Sequence, residues 1–226
     1  MGAITLSKAN RLYWLGRYLE RAYTAIKATR DLFEAETDGA EGDYHTYCRC
    51  LGIQDDYRDT ADFIRRYYFD AANPNSITSS LGFAYDNAIV LRETLSTDTL
   101  AYIQMAVTAM ERAAKDDAPG VALQWVLDDI MAFRGSCEEK IDEEDSRNII
   151  KTGASLERVD LYLRLHAEEA VCRREFEHLF NRLYKSRLTP DKERLNFLVD
   201  ALLDETAETP PMPALVSAVE GLFPSM

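Results

Sequence analysis

The chain has 226 residues, with 26 Lys or Arg against 39 Asp or Glu, and its formal net charge is −13. A surface of this sign repels phosphate, so the charge excludes nucleic acid and anionic membranes as partners, because basic side chains that displace counterions drive both kinds of binding. The low content of Gly (10) and Pro (7), together with the lack of Val/Ile/Thr-rich segments bounded by turn residues, favours helices over strands.

Apolar side chains recur at steps of three and four along most of the chain, which predicts amphipathic helices. Ser7 and Ser76 are predicted N-caps, and the acidic run 138–145 is predicted to be a solvated face or a loop. The predicted helices cover about residues 7–36, 44–69, 76–95, 97–115, 119–137, 146–166 with a continuation toward Tyr184, 191–203 and 214–222.

No shift in composition marks an internal boundary, so residues 1–226 are predicted to form a single all-α domain, a bundle of about seven to nine helices. No apolar run approaches the roughly 20 residues that cross a bilayer, and the first residues lack the basic and apolar regions of a secretion signal. We therefore expect a cytoplasmic protein whose four cysteines stay reduced and structural. They are Cys48, Cys50, Cys137 and Cys172.

A repeat links two of the predicted helices, those at about 7–36 and 146–168. The segment GRYLERAY begins at Gly16, and GASLERVD begins at Gly153, 137 residues later. Glycine inside a helix costs about 0.5–1 kcal/mol relative to alanine, so its recurrence suggests that two backbones approach closely there. The two helices are expected to pack about a pseudo-two-fold axis.

The helical spacing places Glu20 at the edge of the apolar stripe and Arg21 on the far side. Under the pseudo-symmetry, Glu20 would meet a basic group of the other helix, and Glu157 would do the same in return. One interpretation is that Glu20, Arg21, Glu157 and Arg158 form structural ion pairs. The other is that two half-buried carboxylates line a polar pocket for a substrate or a partner.

The same residues resemble a known family. The segment LYWLGRYLERA at 12–22 resembles the opening motif of the bacterial alpha-E family, an all-helical domain with Glu-Arg motifs, and GASLERVD at 153–160 resembles its second copy. Tyr23 stands where an acid often follows in the first copy, whereas Asp160 supplies an acid in the second. A third block, at 73–96, resembles another family segment, and its matching residues are Asn73, Ser76, Ser80, Asn87 and Arg92. It departs from the family pattern at Tyr85 and Asp86, where Arg and Glu are common.

The resemblance implies a function in amide-bond chemistry. Proteins of this kind are encoded beside, or fused to, circularly permuted ATP-grasp proteins and transglutaminase-like proteases. It implies a non-catalytic or cooperating helical subunit of an ATP-grasp-type amide ligase, with a peptide as candidate substrate. The chain contains no phosphate-binding glycine loop and no Gly-x-Ser-x-Gly motif, so nucleotide activation is assigned to the partner.

Two other functions stay open. The chain could be an enzyme that uses Glu20 or Glu157 as a general acid or base, or a stand-alone scaffold that forms homo-oligomers. A ferritin-like metal site needs two Glu-x-x-His pairs, and only Glu175 with His178 fits that spacing, so we expect neither a metal nor another cofactor.

Overall fold

The structure is a computed structural model that describes residues 4–30, 32, 34, 43–116, 119–204 and 210–226. Within these residues it contains ten helices and no strand, which confirms the all-α prediction and slightly exceeds the predicted seven to nine helices. The helices are α1 (Leu6–Ala28), α2 (Tyr44–Leu51), α3 (Thr60–Phe69), α4 (Ile77–Val90), α5 (Thr97–Ala113), α6 (Gly120–Lys140), α7 (Glu144–Arg164), α8 (Glu169–Ser186), α9 (Lys192–Leu203) and α10 (Met212–Glu220).

The additional helix arises because the segment predicted as one helix over 44–69 is two. Gly52 ends α2 in the left-handed conformation, with φ of 66°, and its N–H donates to the carbonyl of Arg49. Asp59 then caps α3 by accepting a hydrogen bond from the N–H of Asp62 at 2.7 Å. The apolar periodicity of the sequence does not reveal such a break, because apolar residues that become buried continue on both sides of it.

A second break separates α7 from α8, where the sequence predicted a continuous helix with a possible kink. His166 has a left-handed φ of 52°, and the N–H of Ala167 donates back to the carbonyl of Tyr162 at 2.9 Å. The chain therefore turns at this point. As a result α8 packs along α7 instead of extending it.

Several predicted helix ends differ from the observed ones. Thr5, not Ser7, caps α1. Helix α4 ends at Val90, before the predicted Leu95. The prediction was too long because Leu91 and Leu95 stay buried through a turn that keeps the helical spacing. The predicted end of the first helix near Glu36 lies outside the described residues.

The acidic run at 138–145, predicted to be a solvated face or a loop, is the junction of two helices, and its acidic side chains are exposed or partly exposed. Residues 138–140 form the last turn of α6, and Glu144 and Asp145 form the first turn of α7. Carboxylates at a helix N-terminus are favourable because they face the positive end of its dipole. Ile141 is buried between the two helices and fixes the junction.

Helix α1 lies at the centre of the molecule and packs against α7 on one side and α4 on another. Its buried residues include Leu12, Leu15, Leu19 and Ile26, as the helical spacing predicted. Helices α5 and α6 pack against each other as an antiparallel pair. The buried apolar side chains of the described residues form one continuous cluster that extends to Phe223 after α10.

The aromatic residues of α2 and α3 form a cluster around Phe63, which is fully buried. The Phe63 ring stacks on Tyr67 at a centroid distance of 5.1 Å and on Tyr44 at 5.4 Å. These rings give the short α2 and α3 a large buried area. Among the described helices, none is both long enough and apolar enough to traverse a lipid bilayer.

Candidate functional site

Helices α1 and α7 cross at their two glycines. A Cβ atom on Gly16 would overlap the carbonyl oxygen of Ile150, and a Cβ on Gly153 would overlap that of Tyr13. The two contacts are related by the repeat, because Tyr13 and Ile150 are 137 residues apart, as are Gly16 and Gly153. The predicted close approach about a pseudo-two-fold axis is therefore observed, and only glycine permits it.

The crossing brings each repeated glutamate against the arginine of the other copy. Arg21 donates from Nε to Oε1 of Glu157 at 2.5 Å, and Arg158 donates from Nε to Oε1 of Glu20 at 2.8 Å. The reciprocal pairing predicted from the repeat is thus present. The predicted position of Arg21 on the far side of α1 is wrong, because its side chain contacts Glu157 of α7.

Glu157 is enclosed by two cations of α1. Besides Arg21, Arg17 donates from Nε to Oε2 at 2.6 Å, and its guanidinium lies 4.7 Å from the centre of the Trp14 ring. The Glu157 side chain is 1% exposed, not half-buried as predicted. Burial alone would raise its pKa, but the charges of Arg21 and Arg17 and their hydrogen bonds hold the pKa of Glu157 below its usual value. Glu157 is therefore an ionised, fully paired carboxylate.

Glu20 is also fully buried, but its second cation comes from another helix. Arg134 of α6 donates to Oε2 at 2.6 Å, next to Arg158 Nη2 at 2.8 Å, while Thr24 donates to Oε1 at 3.1 Å. The ring of Tyr23, at the position where an acid is often found, lies 4.3 Å from the Arg134 guanidinium. Both oxygens of Glu20 are thus engaged by donors.

Sequence reasoning missed Arg17 and Arg134 as partners of the two glutamates. Arg17 could have been noticed because it is a position where the two copies of the repeat differ: the equivalent residue in the second copy is Ala154. Because Ala154 supplies no cation, Glu20 takes one from α6. That α6 reaches the crossing is a property of the tertiary packing, and no local pattern indicates it.

The network continues outward from Glu20 to α8. Arg158 Nη1 donates to Glu175 at 3.2 Å, and His178 Nδ1 lies 3.6 Å from the same carboxylate. The Glu175–His178 pair weighed as metal ligands therefore faces an arginine. In the described part of the chain, no group of three or more His, Cys, Asp or Glu side chains is placed to hold a metal ion.

A polar cavity of about 370 Å³ opens beside Glu157, and Asp160 forms part of its wall. Asp160 Oδ2 accepts a hydrogen bond from Arg164 Nε at 3.0 Å, whereas its buried Oδ1 has no hydrogen-bond partner among the described residues. Burial raises the pKa of Asp160 against the opposing effect of Arg164. The charged side chains that line the cavity are Arg17, Arg21, Arg164, Glu157, Asp160 and Glu220.

Part of the third motif forms the cap of α4. Ser76 Oγ accepts from the N–H of Ser79 at 3.0 Å, Ser80 Oγ donates to the carbonyl of Ser76 at 3.1 Å, and Asn73 Oδ1 accepts from the N–H of Asn75 at 3.0 Å. These bonds fix the turn before α4. The turn contributes Asn75 to the wall of the polar cavity.

The other two residues of the third motif lie away from the crossing. Asn87 Oδ1 accepts a hydrogen bond from Arg11 Nη1 at 3.3 Å and links α4 to the start of α1. Arg92 is exposed just after the end of α4. The structure does not bring either residue to the glutamates.

The three buried cysteines offer no activated thiol. Cys48, Cys50, Cys137 and Cys172 are all free, and only Cys50 is not buried. Burial raises the pKa of Cys48 to about 11 and of Cys137 to about 12, so both are protonated near neutral pH.

Comparison with known proteins agrees with the repeated Glu-Arg geometry. A family model described as a predicted alpha-helical domain with a conserved ER motif matches residues 6–203. No curated protein and no solved structure matches the chain.

Proposed function

The chain belongs to the Alpha-E family, and from this premise we propose that it is a non-catalytic or cooperating helical subunit of a bacterial, cytoplasmic ATP-grasp-type amide ligase system. The likeness to proteins encoded beside or fused to such ligases suggests the partner. The chain's own residues suggest its role, since its most distinctive charged groups hold helices together and are not free to react.

The observation that carries the proposal is the complete pairing of Glu20 and Glu157. Each carboxylate is at most 1% exposed and accepts hydrogen bonds from two arginines. Removing one partner of such a pair leaves an uncompensated buried charge, so the network acts as a lock on the crossing of α1 and α7. Such a lock stabilises one arrangement of the helices that a partner can recognise.

The alternative of an independent enzyme finds less support in this geometry. A general acid or base at neutral pH needs a pKa near the working pH and an open path to the substrate. The pKa of Glu157 is instead held low by Arg21 and Arg17, against the effect of its burial. Glu20 accepts hydrogen bonds from Arg158, Arg134 and Thr24, and its side chain is fully buried.

The proposal is tested by co-expressing the chain with the ATP-grasp-type ligase of the same genome. Size exclusion with light scattering should show a complex, and the ligase should turn over ATP faster with a peptide acceptor when the chain is present. The Gly135→Ala variant, which changes an exposed helical glycine with open space around it, serves as the folded control and should act like the wild type.

Three outcomes would contradict the proposal. With no complex and no change in ligase turnover, the ligase role fails. Self-association of the chain without any effect on the ligase would favour the scaffold. Turnover by the isolated chain that Glu157→Gln abolishes at an unchanged melting temperature would favour the enzyme.

A further inference from the structure

A groove between α5 and α6 exposes large apolar side chains. Met105 of α5 and Trp125 of α6 are part of its lining and are 50% and 48% exposed. Val121, one helical turn before Trp125, is 63% exposed and extends the apolar surface. Tryptophan and methionine are enriched where proteins pack against each other, so their joint exposure in a concave site indicates an interaction surface.

The shape of the groove suits a helix. Its volume is about 560 Å³, and its lining residues on α5 extend from Ala101 to Arg112, which is about three helical turns. Small residues of the lining, Thr108 and Ala109 among them, leave room for a close approach. Two helices packed side by side present such a groove to the side chains of a third helix.

Two carboxylates line the same groove without a basic partner. Asp128 accepts a hydrogen bond from Gln124 Nε2 at 2.9 Å, and neither Asp128 nor Asp129 forms an ion pair with the described residues. Burial and the charge of Asp128 raise the pKa of Asp129, so the charged form of Asp129 lacks a compensating cation. Arg112 is the one cation among the described lining residues, and it is exposed. The lining therefore carries a net negative charge.

A second copy of this chain is a poor occupant of the groove. In a two-fold symmetric contact the same patch of both copies meets itself, so Asp128 and Asp129 would approach their own equivalents. Each copy also carries a formal net charge of −13, which opposes self-association. A partner with basic side chains meets opposite charges instead.

We propose that the groove between α5 and α6 docks an amphipathic helix of another protein, whose apolar stripe packs on Trp125 and Met105 and whose Lys or Arg side chains pair with Asp128 and Asp129. Trp125 is the expected centre of the contact, since a few residues, often Trp, contribute most of the binding free energy at interfaces. The groove shares no lining residue with the polar cavity beside Glu157. This docking site does not depend on the ligase partner, so either proposal can fail while the other stands.

Binding is tested by isothermal titration calorimetry of synthetic peptides into the full chain at about 150 mM salt, which screens exposed charges. The basic probe is three repeats of Lys-Leu-Lys-Lys-Leu-Leu-Lys, a pattern that forms an amphipathic helix. The matched acidic probe has Glu in place of every Lys. The basic probe should bind the wild type at least about tenfold more tightly than the acidic probe.

Variants of the groove locate the binding site. Trp125→Ala should weaken binding of the basic probe at least about tenfold, because it removes the centre of the apolar contact. The double variant Asp128→Asn with Asp129→Asn should also weaken it at least about tenfold, because the lysines of the probe lose their counter-charges. Melting temperatures verify that the variants are folded.

Matched controls separate the groove from general attraction to an acidic protein. Tyr184→Ala removes an aromatic side chain of α8 that is 80% exposed. The double variant Asp142→Asn with Glu144→Gln removes two exposed charges at the junction of α6 and α7. Both controls should bind the basic probe within about twofold of the wild type.

Four outcomes would overturn the proposal. The basic probe could fail to bind the wild type, or bind a folded Trp125→Ala variant equally well. Equal affinity for the Asp128→Asn and Asp129→Asn double variant would refute a basic partner, and an equal loss in the Asp142→Asn and Glu144→Gln control would indicate unspecific charge attraction. A dimer of the wild type in light scattering that Trp125→Ala dissociates would place a second copy in the groove.

Discussion

Glu157 shows how a buried charge is accommodated in this protein. An isolated carboxylate in the interior would become protonated, but Arg17 and Arg21 donate to its two separate oxygens at 2.6 and 2.5 Å. The Arg17 side chain is itself only 9% exposed and lies over the Trp14 ring, so neither ion has an alternative partner in water. The pair therefore stabilises the fold only as long as it is complete.

Glu157→Gln should lower the free energy of unfolding by about 3–5 kcal/mol, because it leaves the buried Arg17 without its counter-charge. Urea denaturation followed by circular dichroism measures the change. Glu177→Gln is the matched control, since Glu177 is exposed on the outer face of α8, and it should stay within about 0.5 kcal/mol of the wild type. Equal stability of the two variants would show that the Glu-Arg network is not a structural lock.

At the scale of elements, the two glycines decide how closely α1 and α7 approach. Gly16 and Gly153 each face a backbone carbonyl of the other helix, which cannot move aside as a flexible side chain would. The close approach in turn brings Arg21 and Arg158 within reach of the opposite glutamates. Glycines and charges thus form one unit, repeated twice.

Gly16→Ala and Gly153→Ala should each destabilise the protein by about 1–3 kcal/mol or more, because the added Cβ pushes the helices apart. The loss should exceed the gain of about 0.5–1 kcal/mol that alanine brings to a helix. Gly135→Ala is the matched control in α6, with nothing within 4 Å of its added Cβ, and it should be neutral or stabilising. Thermal denaturation of the three variants measures the difference, and a destabilised Gly135→Ala with an unaffected Gly16→Ala would contradict the crossing.

The two halves of the repeat differ where the elements around them differ. Arg17 and Tyr23 of α1 correspond to Ala154 and Asp160 of α7. On the Glu20 side, Arg134 of α6 lies over Tyr23 and supplies the second cation. On the Glu157 side, Arg17 already supplies that cation, and the polar cavity with Asp160 lies alongside.

For the whole molecule, the buried pairing of Glu157 contributes to the response to acid. The pKa of Glu157 is lowered in the folded chain from its ordinary 4.5, with Arg21 and Arg17 outweighing the opposing effect of burial, so below about pH 4.5 Glu157 binds more protons in the unfolded chain than in the folded one. Stability should fall as the pH drops through this window. Urea unfolding between about pH 7 and 3 should show a shallower fall for Glu157→Gln, and identical slopes would contradict the pairing.

Asp160 has the opposite effect on the response to acid. Because burial raises its pKa above its ordinary 3.8, its contribution favours folding at low pH and is lost as the pH rises through the folded pKa. Asp160→Asn should therefore make the loss of stability in acid steeper than in the wild type, in the same urea series. A shallower loss would contradict the raised pKa.

The last helix belongs to the same core as the rest, although it follows the end of the family match at residue 203. Phe223 is 4% exposed, and its ring meets Tyr13 of α1 edge-on at 5.6 Å. Phe223→Ala should therefore cost about 3–5 kcal/mol in one cooperative transition. Phe83→Ala is the control, because Phe83 is 40% exposed and should cost far less. A separate early transition for the C-terminal segment would contradict the prediction of one domain.

The sequence by itself determined the helical class, most of the helices and the reciprocal pairing of the two Glu-Arg motifs. Each of these depends on local spacing: apolar side chains every three or four residues, and a glycine, a glutamate and an arginine repeated at a fixed offset. The sequence did not predict the helix breaks at Gly52 and His166. At each break a residue takes the left-handed conformation, and the apolar pattern continues on both sides.

Only the tertiary structure decided how deeply the charges are buried and which further groups they meet. Arg134 is separated from Glu20 by more than a hundred residues, and no repeat links them, so their contact depends on how α6 packs. The same packing buries Asp160 Oδ1 without a hydrogen-bond partner among the described residues. Burial and unsatisfied polar atoms are properties of the folded surface, which arises when distant segments meet.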